Sequence, residues 1–229
     1  MKQNFALEDS LDNSDAIAIK YIKVNNSLMY LFIKRLSDII GSFVGIVILF
    51  PVLLAVALAI KMEDPKGKVI FGHTRVGKNG KVFPCLKFRS MFANAEEMKK
   101  YFTPDQKKEY EETFKLKDDP RVTKVGKFIR KTSLDELPQL FNILIGQITI
   151  VGPRPIVTKE LEFYGEYAKY YEAVKPGLTG LWQVKGRSDT TYEERVDLDM
   201  EYVSTRGIFR DIYIIFMTVV KVIKKDGAY

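Results

Sequence analysis

Among its 229 residues the chain has one cysteine, Cys85, and one histidine, His73. A single cysteine excludes an intramolecular disulfide and fits a reducing compartment. Cys85 itself reads as a small buried hydrophobe rather than a nucleophile. One histidine is too few for a His-based metal site and a poor basis for a Ser–His triad, and His73 reads as a polar residue of a surface or hairpin. The single tryptophan, Trp182, suits either a core or an interface position. No internal repeat or low-complexity tract is present. Met1 to Ser27 is polar and lacks the basic start, apolar middle and small-residue cleavage site of a secretory signal. That segment, within an N-terminal extension of residues 1–31, is expected to be mobile or lightly packed. With these chemistries set aside, carboxylates and cations remain.

Of those, cations are in excess. Lys and Arg number 36 against 29 Asp and Glu, a net charge of +7, which favours an anionic partner: nucleic acid, an acidic lipid surface or a phosphorylated substrate. The length suits one good core, or one domain plus appendages. Ile39 to Ile60 carries no charge, and its length, a little over 20 residues, is about what a spanning helix needs. Pro51 lies inside it and removes one backbone hydrogen bond. Cations flank both ends, Lys34 and Arg35 before and Lys61, Lys66 and Lys68 after, which suits a single pass poorly. A helix over residues 32–62 that enters the bilayer, bends at Pro51 and returns to the same face satisfies both facts. A plain transmembrane helix and a buried core helix are the alternatives.

Residues 63–229 read as a soluble domain. Val69 to Phe71 and Val82–Phe83 look like strands around an Asn79–Gly80 hairpin turn. Ala93 to Phe114 is charged and helical, broken near Pro104, and Val125 to Arg130 reads as a short amphipathic helix. Thr158 to Ala173 and Tyr192 to Tyr202 read as helices, and Lys175 to Gly180 as loop. Ile208 to Lys225 carries an apolar face of Ile212, Ile215, Phe216, Val219 and Val222, which suits a membrane interface or docking on the core equally.

Chemistry concentrates in Arg130 to Pro155, RKTSLDELPQLFNILIGQITIVGPRP. Ser133 with Glu136 matches a capping box, the purely structural reading. Pro138 fits better if Asp135 is the N-cap, because the proline then falls in the first turn. In both cases the carboxylates sit at the positive end of a helix. One carboxylate can attack phosphorus while the other holds Mg²⁺ or handles a proton, and Arg130, Lys131 and Arg154 can neutralise a pyrophosphate. Beside a membrane-inserted segment this suggests phosphoryl transfer at a membrane surface. A nucleic-acid module would explain the charge but leave residues 39–60 without a purpose. An inactive membrane scaffold would require Asp135 and Glu136 to be only a cap.

In order, KFRSM, DDPRVTKVGKFIRKTSLDELPQLFN, VGPRP, KPGLTGLWQVKGR and the terminal KKDGAY resemble the bacterial sugar transferases, the small monotopic polyprenyl-phosphate phosphoglycosyl transferases. The resemblance runs from about Lys34 to Tyr229. It implies transfer of a sugar-1-phosphate from a UDP-sugar to undecaprenyl phosphate with release of UMP, as the first membrane step of O-antigen, capsule or exopolysaccharide synthesis. It also implies Mg²⁺ held by Asp135 and Glu136, with Asp135 as the nucleophile that carries a covalent phosphosugar. Glu136 is implied as a metal ligand and base toward the lipid phosphate. Arg154 and Arg187 resemble nucleotide-sugar phosphate contacts, Lys87, Arg89 and Arg130 resemble active-site cations, and residues 32–62 resemble a re-entrant helix broken at Pro51. FKLKDDPRVT, the Phe92–Phe114 insertion and the DGAY end look nearest to galactose-1-phosphate transferases, with glucose-1-phosphate as the runner-up. Many of that subgroup carry extra membrane helices before the catalytic region, and this sequence has none.

The expected architecture is therefore α+β: a mostly helical, compact cytosolic domain with a small β-hairpin, anchored by the re-entrant helix and by interfacial amphipathic helices. It would rest on the anionic inner leaflet of the bacterial inner membrane, at its cytoplasmic face. No nucleic-acid partner is expected, and a homodimer is left open.

Overall fold

The computed structural model describes residues 22–113, 116–186 and 190–224. The readings made on residues 1–21, on Arg187 and on the end of the KKDGAY segment lie outside the described residues. The longest element is helix α1, Leu28–Glu63, 36 residues with Pro51 inside it. Pro51 has no N–H to donate to the Val47 carbonyl, yet helix continues on both sides of it. An 18-residue window of α1 has a mean hydropathy of 3.0 with only 11% of it buried, so the core-helix alternative fails. Among the described residues it is the one helix long and apolar enough to cross a membrane.

Strands β1, Ile70–Val76, and β2, Val82–Phe88, pair as a two-stranded sheet. Asn79 and Gly80 between them take φ values of 59° and 70°. These left-handed conformations are what an Asn-Gly turn supplies at little steric cost, so the hairpin forms where the sequence places it.

The described chain divides into two compact units. The first holds the chain up to Ser42, Thr74–Pro84 and the chain from Asn142 onward. In it the start of α1 is docked by its polar residues. Lys34 donates to the Val151 carbonyl at 2.8 Å and to Asp211 at 2.6 Å, and Arg35 donates to the carbonyls of Ile143 and Leu144, each at 2.8 Å. Asp38 accepts from the Thr149 hydroxyl and the Ile150 amide. Strand β3, Thr149–Val151, lies parallel to β4, Gly177–Thr179, with Thr149 opposite Gly177. The Gly177 segment expected to be loop is thus a strand, and the fold has a second two-stranded sheet beside the expected hairpin. Gly177 is what permits the pairing, since a Cβ there would stand 2.1 Å from the Gly152 amide nitrogen.

The region read as one helix from Thr158 is a 3₁₀ segment, Thr158–Tyr167, followed by a short α-helix, Ala168–Glu172. Gly165, at φ 48°, is a non-helical kink inside the 3₁₀ segment and interrupts the run before the α-helix begins. Helix α8, Tyr192–Thr205, follows two short helices, α6, Ala168–Glu172, and α7, Leu181–Lys185, and opens on a Thr191–Glu194 capping box. Buried Val76, Ile156, Tyr164, Tyr171, Val196, Met200 and Val203 form its apolar core, and Ile22 and Val24 pack against the cluster.

Helix α9, Ile208–Lys224, resolves the choice left open for it. Ile214 is fully buried and packs with Met217 into a second cluster, while Thr218 meets Thr179. The face with Phe209, Ile212, Phe216 and Val219 is exposed. One face docks on the core and the other is an unburied apolar surface.

The second unit holds Phe43–His73 and Cys85–Phe141. The insertion forms helix α2, Ala95–Met98, a 3₁₀ turn, and helix α3, Pro104–Thr113, broken near Pro104 as expected. Helix α4, Lys124–Lys131, and helix α5, Gln139–Ile145, follow. Val56 and Ile60 of α1 meet Phe88, Ile129, Leu134 and Leu137 in the apolar cluster of this unit. Cys85 is buried, as its composition reading requires.

Candidate active site

Helix α4 is started by Thr123, whose side chain accepts from the Gly126 amide at 2.8 Å. Gly126 permits close packing, since a Cβ there would sit 2.0 Å from the Ser90 carbonyl oxygen. The helix buries Ile129 and sends Arg130 to the Ser90 hydroxyl at 2.8 Å. At its end the chain reverses through Ser133, a non-glycine residue at φ 56°, ψ 16°. That left-handed conformation is uncommon outside glycine. It feeds a 3₁₀ turn, Leu134–Glu136, ahead of α5.

With three residues per turn, Leu134 and Leu137 eclipse one another and both enter the apolar cluster. Asp135 and Glu136 are thereby turned away from it. Strand β2 buries Phe88 and presents Lys87 to the two carboxylates. The Lys87 ammonium donates to Glu136 Oε1 at 2.7 Å and lies 3.7 Å from Asp135 Oδ2.

Both capping readings of this stretch are therefore corrected. Ser133 is left-handed where an N-cap is extended, and its side chain caps nothing. The Glu136 carboxylate that a capping box needs is taken by Lys87. Asp135 lies inside the 3₁₀ turn, and α5 starts only after Pro138, so the carboxylates precede that helix by a turn.

Asp135 is the more enclosed carboxylate, its side chain 13% exposed against 33% for Glu136. Burial pushes the Asp135 carboxyl above the usual range, with Glu136 reinforcing the shift and Lys87 and Arg130 opposing it. The structure thus brings Lys87, Arg130, Asp135 and Glu136 into one electrostatic group within the second unit. Arg89 is engaged by Asp64, with 2.6 Å from Nη1 to Oδ2. Arg154 belongs to the first unit, where its guanidinium stacks on Trp182 at 5.3 Å with Arg195 on the same ring at 5.0 Å. Trp182 thus serves as a platform for two cations. Arg187 lies outside the described residues.

Two residues that sequence reasoning passed over bear on this site. Glu63 accepts from the Lys124 and Val125 amides, and Asp64 from Arg89 and the Ala93 amide. The available signal was an acidic pair directly before Pro65, separated from the uncharged run by Lys61 and Met62.

The resemblance implies Mg²⁺, and the donor set can be tested for it. Asp135 and Glu136 are two hard oxygen donors side by side. Among the described residues no group of three or more His, Cys, Asp or Glu could hold a metal. A carboxylate pair without a third protein ligand fits Mg²⁺, which uses one or two carboxylates and completes its shell with water and phosphate oxygens. Beside this region an apolar groove of about 470 Å³ is lined by Ala55, Val56, Ala59, Lys124, Val125, Phe128 and Ile129.

A family model described as "Bacterial sugar transferase" matches residues 29–225. The "Undecaprenyl-phosphate galactose phosphotransferase" of Salmonella typhimurium is 51% identical over 86% of this chain and 42% of its own length. The "Exopolysaccharide production protein ExoY" of Rhizobium meliloti is 44% identical over 86% of this chain and 88% of its own. The "UDP-glucose:undecaprenyl-phosphate glucose-1-phosphate transferase" of Klebsiella pneumoniae is 42% identical over 86% of this chain and 41% of its own. The chain spans a little under half the length of the first and third of these relatives.

Proposed function

The chain belongs to the bacterial sugar transferase family, and from that premise we propose that it moves a sugar-1-phosphate from a UDP-sugar to undecaprenyl phosphate and releases UMP. The group moved is galactose-1-phosphate, in line with the activity for which the Salmonella relative is named. The observation that carries the reading is the Asp135–Glu136 pair, held on a 3₁₀ turn and bridged by one ammonium.

In the first step a carboxylate oxygen of Asp135 attacks the phosphorus that bears the sugar. The bond from that phosphorus to the bridging oxygen breaks, and its electron pair leaves with UMP. In the second step an oxygen of the lipid phosphate attacks the same phosphorus. The Asp135 carboxylate departs and a lipid-linked diphosphosugar remains. Glu136 takes up the proton of the entering lipid phosphate. Lys87 holds Glu136 in place and offsets the charge of two adjacent carboxylates as an anionic substrate arrives. Mg²⁺ held by Asp135 and Glu136 would supply positive charge to the diphosphate oxygens.

The acceptor dictates the location. The exposed apolar surface of α1 suits burial in the cytoplasmic leaflet of the bacterial inner membrane, entering and leaving by one face around Pro51. The exposed face of α9 suits the interface beside it.

The test is intact-protein mass spectrometry after incubation with UDP-galactose and Mg²⁺ without lipid. The expected result is a gain of one hexose phosphate, discharged on adding undecaprenyl phosphate. An adduct with UDP-glucose alone changes the sugar to the one for which the Klebsiella relative is named. Lipid product without any adduct refutes the covalent step. Absence of both UMP and product leaves the non-catalytic scaffold.

A further inference from the structure

Helix α1 ends on Glu63, followed by Asp64, and each carboxylate is committed to a different segment of the second unit. Glu63 spreads its two oxygens over the first amides of α4, accepting from Lys124 N at 2.7 Å and Val125 N at 2.9 Å. Those amides have no partner within the helix, so a carboxylate there is favoured by both hydrogen bonding and the helix dipole. Helix α4 runs from that cap straight to the Ser133 reversal and the carboxylate turn.

Asp64 grips the other segment. Its Oδ2 accepts from Arg89 Nη1 at 2.6 Å and from the Ala93 amide at 2.7 Å, while its carbonyl accepts from Arg89 Nη2 at 2.6 Å. The pair is largely enclosed, 11% and 13% exposed, unlike the solvated ion pairs that contribute little. Arg89 continues β2 past its end, its amide donating to the Val69 carbonyl, and stands two residues from Lys87. Lys61 secures the turn by donating to the carbonyls of Pro65 and Gly67 at 2.9 and 3.0 Å. Gly67 leaves room for the guanidinium, since a Cβ there would stand 1.8 Å from Arg89 Nη1.

We propose that Glu63 and Asp64 are positioning residues that tie both arms of the carboxylate site to the end of the apolar helix. One arm is α4 with the Asp135–Glu136 turn, and the other is the end of β2 with Lys87. The inference rests on the transferase reading above for its purpose. A lipid-held phosphate is fixed in height by the bilayer, so the carboxylates that meet it need a fixed height above the segment embedded there. Displacements of about 1 Å between reacting groups can cost about a hundredfold in rate.

The test compares two acceptors with the full chain reconstituted in lipid nanodiscs. One is undecaprenyl phosphate in the bilayer, and the other is a water-soluble prenyl phosphate of two or three isoprene units. The Glu63→Gln, Asp64→Asn double variant is expected to lose about tenfold or more in turnover with the bilayer acceptor and no more than about threefold with the soluble one. Equal losses with both acceptors, or no loss with either, overturn the positioning role. Gly67→Ala, which crowds Arg89 off Asp64 without removing a charge, is expected to shift the same ratio and serves if the double variant fails to fold.

Hydrogen exchange separates this inference from the transferase reading. Amides of residues 133–137 are expected to exchange about tenfold faster in the double variant, which needs no turnover to observe. Unchanged exchange overturns the inference even where wild type releases UMP. Faster exchange in a protein whose wild type releases none sustains the tie and refutes the transferase reading instead.

Discussion

Replacing Lys87 by Met removes the cation that, among the described residues, lies within 4 Å of both carboxylates. Its Nζ stands 2.7 Å from Glu136 Oε1 and 3.7 Å from Asp135 Oδ2, with the Lys87 side chain 26% exposed. Unit charges about 4 Å apart near a protein surface attract by about 4 kcal/mol before desolvation and side-chain ordering are counted. Solvent reaching a third of Glu136 and a quarter of Lys87 reduces this, leaving about 1–2 kcal/mol for the charge-assisted contact. Without it two adjacent negative charges face an incoming diphosphate, and the loss falls on the charged transition state. About 1.4 kcal/mol is tenfold, so kcat/KM for the UDP-sugar is expected to fall about tenfold, measured as UMP release. The methionine stem fills the same path along β2, so the loss of stability is confined to that contact and the thermal midpoint should fall by about 2–8 °C. Lys87→Arg, which keeps the charge, should recover to within about threefold of wild type. A Lys87→Met protein within twofold of wild type would refute the claim that this ammonium organises the pair.

Asp135→Asn is expected to abolish the hexose-phosphate adduct and cut turnover by at least about a thousandfold, while Glu136→Gln lowers it about ten- to a hundredfold. An adduct persisting in Asp135→Asn places the nucleophile elsewhere. Gly126→Ala puts a methyl 2.0 Å from the Ser90 carbonyl, so α4 must move, at a cost of about 1–3 kcal/mol in chemical unfolding. Unchanged stability would mean that α4 and Ser90 are not packed as described. Asp199 is fully buried, accepts from the Tyr164 hydroxyl at 2.7 Å, and has its carboxyl pushed up to about 6 by burial. Its raised value means that the folded state binds the proton more tightly. Stability from this group is therefore full below about pH 4 and is lost as pH rises toward about 6. Relative to Asp199→Asn, wild type should lose about 3 kcal/mol in all from well below to well above those limits, from the 3.8 to about 6 shift at about 1.4 kcal/mol per unit. A pH-independent difference between the two proteins would show that Asp199 is not buried in the charged form.

The parts legible in the sequence are those whose cause is local. The uncharged run from Ile39 to Ile60 makes a long apolar helix whatever surrounds it. Asn79–Gly80 makes a hairpin because both residues accept positive φ. Val125 to Arg130 makes an amphipathic helix that buries Ile129, and Thr123 caps it. The Asp135–Glu136 pair and the basic Lys87 could be singled out as chemical groups without knowing where they lie. The α9 face of Ile212, Phe216 and Val219 could be read as apolar, but whether it turned inward could not.

What escaped the sequence depends on partners distant along the chain. Strands β3 and β4 are three residues each, too short for a period, and become strands only because Thr149 finds Gly177. Lys34 and Arg35 read as a membrane flank, and the partners they find are carbonyls and a carboxylate more than a hundred residues away. The capping box at Ser133 was a valid local pattern, and it failed because Lys87 claims the Glu136 carboxylate and Leu134 and Leu137 are drawn into the apolar cluster.

The sequence by itself thus determined the long apolar helix, the hairpin turn and the residue types available for catalysis, because each follows from neighbours within a turn or two. Only the tertiary structure decided that an ammonium from β2 spans Asp135 and Glu136, and that Glu63 and Asp64 at the end of α1 hold both arms of that arrangement. Such pairings join groups that local propensity does not connect, and they are settled by which buried charges and amides find partners when the core closes.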